Sequence, residues 1–137
     1  MAYGIDPLEN DGALDLCHEL REASRGGARR VLEEALAVAI EAGEDEYLEK
    51  DCGEAAVAAA AIISALGRNE LAVLERRRLE SVEFGLVDDL AAPALVALTR
   101  VGGTESELLD LWEAEGREQE FRTCLQDISN SLRSLQS

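Results

Sequence analysis

His18 is the only histidine in the chain, so it is the first residue to consider for metal binding or acid–base chemistry. Cys17 precedes it and Glu22 follows four residues later, a set of side chains that zinc accepts. Neighbouring residues of an α-helix point about 100° apart, however, so Cys17 and His18 do not easily reach one ion. We therefore expect a surface or half-buried histidine, and we assign no metal ligand and no cofactor.

Nucleophilic catalysis also lacks its usual parts. The chain contains no Gly-x-Ser-x-Gly segment, and a Cys–His pair requires His18 to meet Cys52 or Cys124 in space. The glycines at 102–103 precede a helix, as in a phosphate-binding loop, but no lysine follows and Glu105 and Glu107 place negative charge there. The sequence thus predicts no catalytic residue and a non-enzymatic protein.

Acidic residues form two concentrations in a chain of net charge −16. The first covers residues 41–54 and the second covers residues 105–120. We predict that acids from both bind a partner: Glu41, Glu44, Asp45, Glu46, Glu49, Glu107, Asp110, Glu113, Glu115 and Glu118. The basic residues collect elsewhere, at Arg21, Arg25, Arg29 and Arg30 and again at 76–78.

This charge distribution favours another protein with a basic surface as the partner, because opposite potentials steer association. It disfavours direct contact with nucleic acid or an anionic membrane. Three other interpretations stay open: an acidic surface that serves only solubility, a phage or mobile-element inhibitor that mimics DNA, and a carboxylate-based enzyme or metal protein near His18. The binding interpretation requires the two acidic concentrations to lie close together in the folded protein.

Composition predicts an all-α protein. The 137 residues are 47% hydrophobic with only two prolines, and alanine and leucine are abundant, which suits one helical domain over residues 1–137. We expect a compact bundle of six or seven helices around a central alanine-rich helix at about 53–66. The other helices are expected at about 11–24, 28–42, 70–79, 93–103, 104–115 and 117–135.

Local signals define several details. Thr104 and Glu107 have capping-box spacing at the start of the sixth helix. We expect Leu108, Leu111 and Trp112 on the buried side of that helix. Pro93 suits the first position of the fifth helix. In the connection before it, four apolar side chains are expected to pack inward: Val82, Phe84, Leu86 and Val87.

The first ten residues are predicted to form an ordered brace for the first helix. Tyr3 and Leu8 are expected to pack on the bundle, Gly4 and Pro7 to shape the turn, and Asn10 or Asp11 to cap the helix. With Trp112, these residues are structural rather than functional in our interpretation.

Three unpaired-looking cysteines argue against a disulfide framework. The N-terminus has neither a basic start nor an apolar core, so we expect no secretory signal. The most apolar stretch, at 55–66, is too short to cross a bilayer. We therefore expect a cytoplasmic protein.

Three segments resemble an uncharacterised bacterial family, one of the domains of unknown function. The first, YGIDPLENDGALD at 3–15, is similar to a W-G-x-G-P-F-x-N-D-x-A-L-D opening. The second is Tyr47-Leu48-Glu49 before the alanine-rich helix, in which Ala61 replaces a glutamate found in many relatives. The third is SELLDLWEAEG at 106–116.

The resemblance implies a small stand-alone cytoplasmic protein without an established activity. By analogy with other small acidic helical proteins, we expect an immunity or inhibitor protein for a basic toxin or nuclease.

Overall fold

The computed structural model describes residues 6–23, 26–42 and 46–136. Within these ranges the chain forms seven α-helices, a 3-10 turn at Asp88–Leu90 and no strand, which confirms the all-α prediction. The helices are α1 (Asp11–Glu22), α2 (Gly27–Glu41), α3 (Lys50–Gly67), α4 (Leu71–Arg76), α5 (Ala91–Val101), α6 (Glu107–Ala114) and α7 (Glu118–Leu135). No described helix has the length and apolar composition needed to cross a membrane.

Helix α3 is the centre of the bundle, as its alanine-rich sequence predicts. It contacts α1, α2, α4, α5, α6 and α7. Its alanines at 56 and 58–60 are fully buried, and so are Ile62 and Ile63. Small side chains let the neighbouring helices approach closely, and the two isoleucines fill the remaining space with branched apolar groups.

Helix α1 begins at Asp11 and its N-cap is Asn10, one of the two residues expected to cap it. The Asn10 side chain accepts a hydrogen bond from the amide of Ala13 at 2.8 Å. Before it, the amide of Leu8 donates to the carboxylate of Asp6 at 2.8 Å, and the Leu8 side chain is buried in the core. Pro7 is half-buried beside it. The predicted roles of Tyr3 and Gly4 lie outside the described residues.

The predicted cap of α6 was wrong. The cap is Ser106, whose hydroxyl accepts from the amide of Leu109, and Thr104 is exposed two residues earlier. The helix therefore starts later and presents a different side to the core. Leu108 and Leu109 are buried and Trp112 is half-buried, whereas Leu111 is 43% exposed instead of buried.

Other boundaries also differ. Helix α3 begins at Lys50, three residues before the predicted start, and α5 begins at Ala91, so that Pro93 takes its third position. Proline is compatible with that position because the amides of a first helical turn have no partner within the helix. Leu86 was expected inside but is 79% exposed. It follows Gly85, which has a φ of +70°, so the chain turns there and leaves only Phe84 and Val87 buried.

Candidate protein-binding surface

The two acidic segments meet beside the N-terminus of α3. The amide of Leu48 donates to the carbonyl of Glu105 at 2.8 Å, and the amide of Glu107 donates to the carbonyl of Leu48 at 2.9 Å. These bonds form an isolated parallel bridge between Leu48 and Ser106. Residues almost sixty positions apart in the chain are thereby fixed side by side.

Glu107 strengthens this junction through its side chain. Its carboxylate accepts a hydrogen bond from the backbone amide of Lys50, the first residue of α3, at 2.8 Å. An acid at a helix N-terminus satisfies a free amide and interacts favourably with the helix dipole. This contact explains why α3 starts at Lys50, and it gives Glu107 a structural role.

Arg100 of α5 also connects the same two segments. Its guanidinium donates to the carbonyl of Glu46 at 2.5 Å, of Thr104 at 2.9 Å and of Glu105 at 3.1 Å. Three backbone carbonyls on two separate segments thus share one rigid, planar donor group. Glu105 adopts a φ of +55° at this point, where the chain turns towards Ser106.

Tyr47 lies at the centre of the junction and is 50% exposed. Its hydroxyl donates to the carboxylate of Asp110 at 2.9 Å. That hydrogen bond raises the pKa of Tyr47 to about 12, with further contributions from burial and from the negative charges of Asp110, Glu107 and Glu105. The phenol therefore stays neutral at physiological pH and remains a hydrogen-bond donor.

Five exposed acids belong to the two segments that meet at Tyr47, two on one side of the bridge and three on the other. We call Tyr47 together with these residues the acidic junction: Glu46, Glu49, Glu105, Asp110 and Glu113. A concave cavity of about 450 Å³ opens beside the ring of Tyr47. It is lined by the side chains of Asp110, Glu113 and Arg122 and by residues 102–105 and Leu109.

Of the remaining predicted partner-binding residues, the structure describes Glu41, Glu115 and Glu118, and none of the three lines the cavity beside Tyr47. Glu41 is the last residue of α2, and Glu115 is the cap at the far end of α6. Glu118 pairs with Arg122 at 2.6 Å, so its charge is largely compensated. Glu44 and Asp45 lie outside the described residues. Among the predicted residues that the structure describes, the bridge brings together the two segments that carry Glu46, Glu49, Glu107, Asp110 and Glu113.

Trp112 packs between α6 and the start of α7. Its ring stacks on Phe121 of α7 with centroids 6.2 Å apart and an angle of 16° between the planes. The guanidinium of Arg117 lies 5.0 Å from the centroid of the Trp112 ring, within the range of a cation–π contact. These contacts hold α6, and with it Asp110 and Glu113, against α7.

Sequence reasoning missed the buried carboxylate of Glu54, which lies near the junction. Glu54 is only 6% exposed, and its carboxylate accepts a hydrogen bond from the amide of Gly12 at 3.0 Å. Burial raises the pKa of Glu54, although the Gly12 bond and the charge of Lys50 act in the opposite direction. The available signal was the position of Glu54 directly before the apolar run at 55–63.

Residues considered for catalysis or metal binding do not assemble in the described part of the chain. The side chain of His18 is 63% exposed and lies 3.2 Å from Glu22. Burial raises the pKa of each cysteine thiol, to about 11 for Cys124, which lowers thiolate reactivity. Among the described residues, no group of three or more histidine, cysteine or acidic side chains is arranged to hold a metal ion.

The helical fold and the acidic junction define a small all-α protein with a concentrated negative surface. The chain belongs to the family described as Domain of unknown function (DUF4259), whose model matches residues 2–123. No curated protein and no solved structure matches the chain. The three segments that resemble the family meet at one place: Gly12 contacts Glu54, and Leu48 pairs with Ser106 beside the start of α3.

Proposed function

We propose that this protein is a non-enzymatic binding module that recognises the basic surface of another protein through the acidic junction. In its specific form, the proposal is an immunity or inhibitor protein for a basic toxin or nuclease, acting in the cytoplasm. The single observation that supports it most is the convergence of both acidic segments around the exposed ring of Tyr47.

The geometry of Tyr47 resembles the centre of a protein interface. Tyrosine is enriched among residues that contribute most to binding, because its ring offers a large apolar area with little conformational freedom to lose. The Asp110 hydrogen bond fixes the Tyr47 hydroxyl before a partner binds. The side chain therefore loses less conformational entropy on binding. The acids around the ring supply a charged rim of the kind that surrounds such residues.

Electrostatics supports the same partner class. A net charge of −16 accelerates the approach of a cationic protein, and the acidic junction concentrates the attraction at one face. The backbone bridge and Arg100 hold the two segments in place, so the acids are preorganised rather than brought together by the partner. Binding should therefore be fast at low ionic strength and weaken as salt is added.

The experiment compares two variants of equal net charge. The junction variant combines Glu46→Gln, Asp110→Asn and Glu113→Gln, and the control variant combines Glu19→Gln, Glu34→Gln and Glu75→Gln, three exposed acids on α1, α2 and α4. Immobilised wild-type protein and both variants are incubated with lysate of the source organism, and bound proteins are identified by mass spectrometry. We expect one basic protein to be retained by wild type and control but not by the junction variant.

Retention of the same proteins by both variants would contradict the proposal, and so would an acidic partner. Two further readouts refine a positive result. Inhibition of a toxic or nuclease activity of the captured protein supports the inhibitor form. Displacement of a captured DNA-binding protein by duplex DNA supports instead the DNA-mimic alternative.

A further inference from the structure

Two arginine-containing segments meet on a part of the surface that the acidic junction does not use. Arg21 lies in the last turn of α1, and Arg77 and Arg78 follow the end of α4. The guanidinium of Arg21 donates to the carbonyl of Arg77 at 2.7 Å. Basic residues separated by more than fifty positions therefore share one corner of the molecule.

A cavity of about 480 Å³ opens at this corner, and we call it the arginine pocket. It lies between the end of α1, the start of α2 and the chain that follows α4. Its lining comprises Leu20, Arg21, Ala23, Ala28, Arg78, Ser81, Val82 and Glu83.

Arg21 and Arg78 of this pocket differ in their ion pairing from Arg29 and Arg76. Arg29 pairs with Asp89 at 2.6 Å and Arg76 with Asp6 at 3.6 Å. Among the described residues, no carboxylate lies within ion-pair distance of Arg21 or Arg78. Acidic residues outnumber basic ones by 29 to 13. With so many carboxylates in the chain, two arginines without an ion-pair partner at one cavity are unexpected.

The start of α2 adds to the positive potential. Ala28 in its first turn lines the pocket, the N-cap Gly26 has no side-chain acceptor, and the first turn contains no acid. Instead, Arg29 and Arg30 occupy that turn, where the helix dipole disfavours cations. An anion at this end would relieve the unfavourable interaction.

Arg77, next in sequence to Arg78, does not line the pocket. Its guanidinium lies 3.6 Å from the carboxylate of Glu9, and its Nε is buried without a hydrogen-bond partner among the described residues. Arg78 itself has a φ of +57°, a conformation that costs energy for a side chain with a Cβ atom. The chain thus places Arg78 at the pocket despite a backbone cost.

We infer that the arginine pocket binds a small molecule that carries a phosphate monoester group. Two guanidiniums, the Ser81 hydroxyl and the start of α2 suit the three acceptor oxygens and double charge of phosphate. Glu83 also lines the pocket, and its negative charge opposes the binding of any anion, a dianion most of all. The cavity is larger than one phosphate group, and Leu20 and Val82 offer apolar contact to an organic remainder.

The test measures binding of inorganic phosphate and glycerol 3-phosphate by calorimetry, with acetate at the same ionic strength for comparison. Arg78→Gly removes one guanidinium and suits the positive φ, so the fold is retained, as circular dichroism would verify. We expect this variant and Arg21→Gln to bind about tenfold more weakly than wild type. Glu83→Gln should bind about threefold more tightly because it removes the opposing charge.

Arg133→Gln is the matched control, because it removes one positive charge from α7, outside the pocket lining. It should leave phosphate binding within about twofold of wild type. Absence of saturable binding of either phosphate probe to wild type would overturn the inference. Equal binding of acetate would do so as well, and so would equal weakening by Arg133→Gln and Arg78→Gly. None of these results bears on the acidic junction.

Discussion

The carboxylate of Glu54 on α3 accepts a hydrogen bond from the amide of Gly12 on α1, 3.0 Å away and inside the bundle. Gly12 is the second residue of α1, so its amide has no partner within the helix. A side chain from another helix thus completes the capping that Asn10 begins. The contact also connects the N-terminal family segment to α3, whose start lies beside the acidic junction.

Replacing Glu54 with glutamine should make stability less dependent on pH in the range that begins at the ordinary pKa of 4.5 and extends upwards. The folded-state pKa of Glu54 lies above its ordinary value of 4.5, so the folded protein holds this proton more tightly than the unfolded chain. That contribution to stability is present below the ordinary pKa and is lost as the pH rises through the folded-state pKa. The amide oxygen of the introduced glutamine can still accept from Gly12, and the side chain has no charge to gain.

Chemical denaturation of wild type and Glu54→Gln between about pH 4 and pH 8 checks this prediction. The free energy of unfolding of the variant, relative to wild type, should increase as the pH rises. Glu54→Ala is the comparison, because it leaves the Gly12 amide without an acceptor and should lose about 1–3 kcal/mol. A constant difference between Glu54→Gln and wild type across this range would show that Glu54 is not held at a raised pKa.

Gly12→Ala should destabilise the protein by about 1–3 kcal/mol, although alanine normally favours helix. A Cβ atom at Gly12 would lie 2.6 Å from the Cβ of Glu54 and 2.8 Å from the carbonyl oxygen of Asp51, and backbone cannot easily move away. Gly53→Ala is the matched control, because its Cβ would lie 3.4 Å from Leu108, an ordinary contact. Thermal unfolding should separate the two variants, and equal melting temperatures would contradict the close approach of α1 and α3.

The sequence predicted the helices well because their buried faces repeat with helical spacing. It also predicted the central position of α3, whose residues are apolar nearly all round. The starts of α3 and α6 were predicted less well, since each depends on a contact from the other segment. Glu107 caps α3, and the pairing of Leu48 with Ser106 sets where α6 begins. No spacing within one segment reports such long-range contacts.

The corrected cap of α6 gives a direct stability test. Ser106→Ala should lose about 1 kcal/mol, because the hydroxyl that accepts from the Leu109 amide is removed within a buried site. Thr104→Ala should change the free energy of unfolding by less than about 0.5 kcal/mol, since Thr104 is exposed. Denaturant titration of both variants measures the two effects. Greater loss in Thr104→Ala would restore the capping box expected from sequence.

The acidic junction was predictable only in part. The two acidic segments were visible as charge concentrations, but the choice among their members depends on partners that the sequence does not show. Glu118 is compensated by Arg122, whereas Asp110 is oriented by Tyr47. The sequence marks Tyr47 as part of a family segment but does not show that its ring is exposed, because helical periodicity does not reveal which aromatic side chain lies at the surface.

The titration of Tyr47 reports on the local order of the junction. In a Tyr3→Phe background, where Tyr47 is the only tyrosine, ultraviolet absorbance should give a pKa of about 12. Adding Asp110→Asn removes the charged acceptor of the hydroxyl and should lower this pKa towards its ordinary value of 10.0. An ordinary pKa that Asp110→Asn leaves unchanged would show that the hydrogen bond does not form in solution.

The association rate constant with the captured basic partner tests the central claim most directly. Stopped-flow measurements compare wild type, the junction variant and the control variant of equal charge at about 20 mM and about 300 mM salt. We predict that at low salt the junction variant associates about tenfold more slowly than the control, and that the difference shrinks at high salt. Equal rates for the two variants at low salt would contradict the account, because attraction would then depend on net charge and not on the acids around Tyr47.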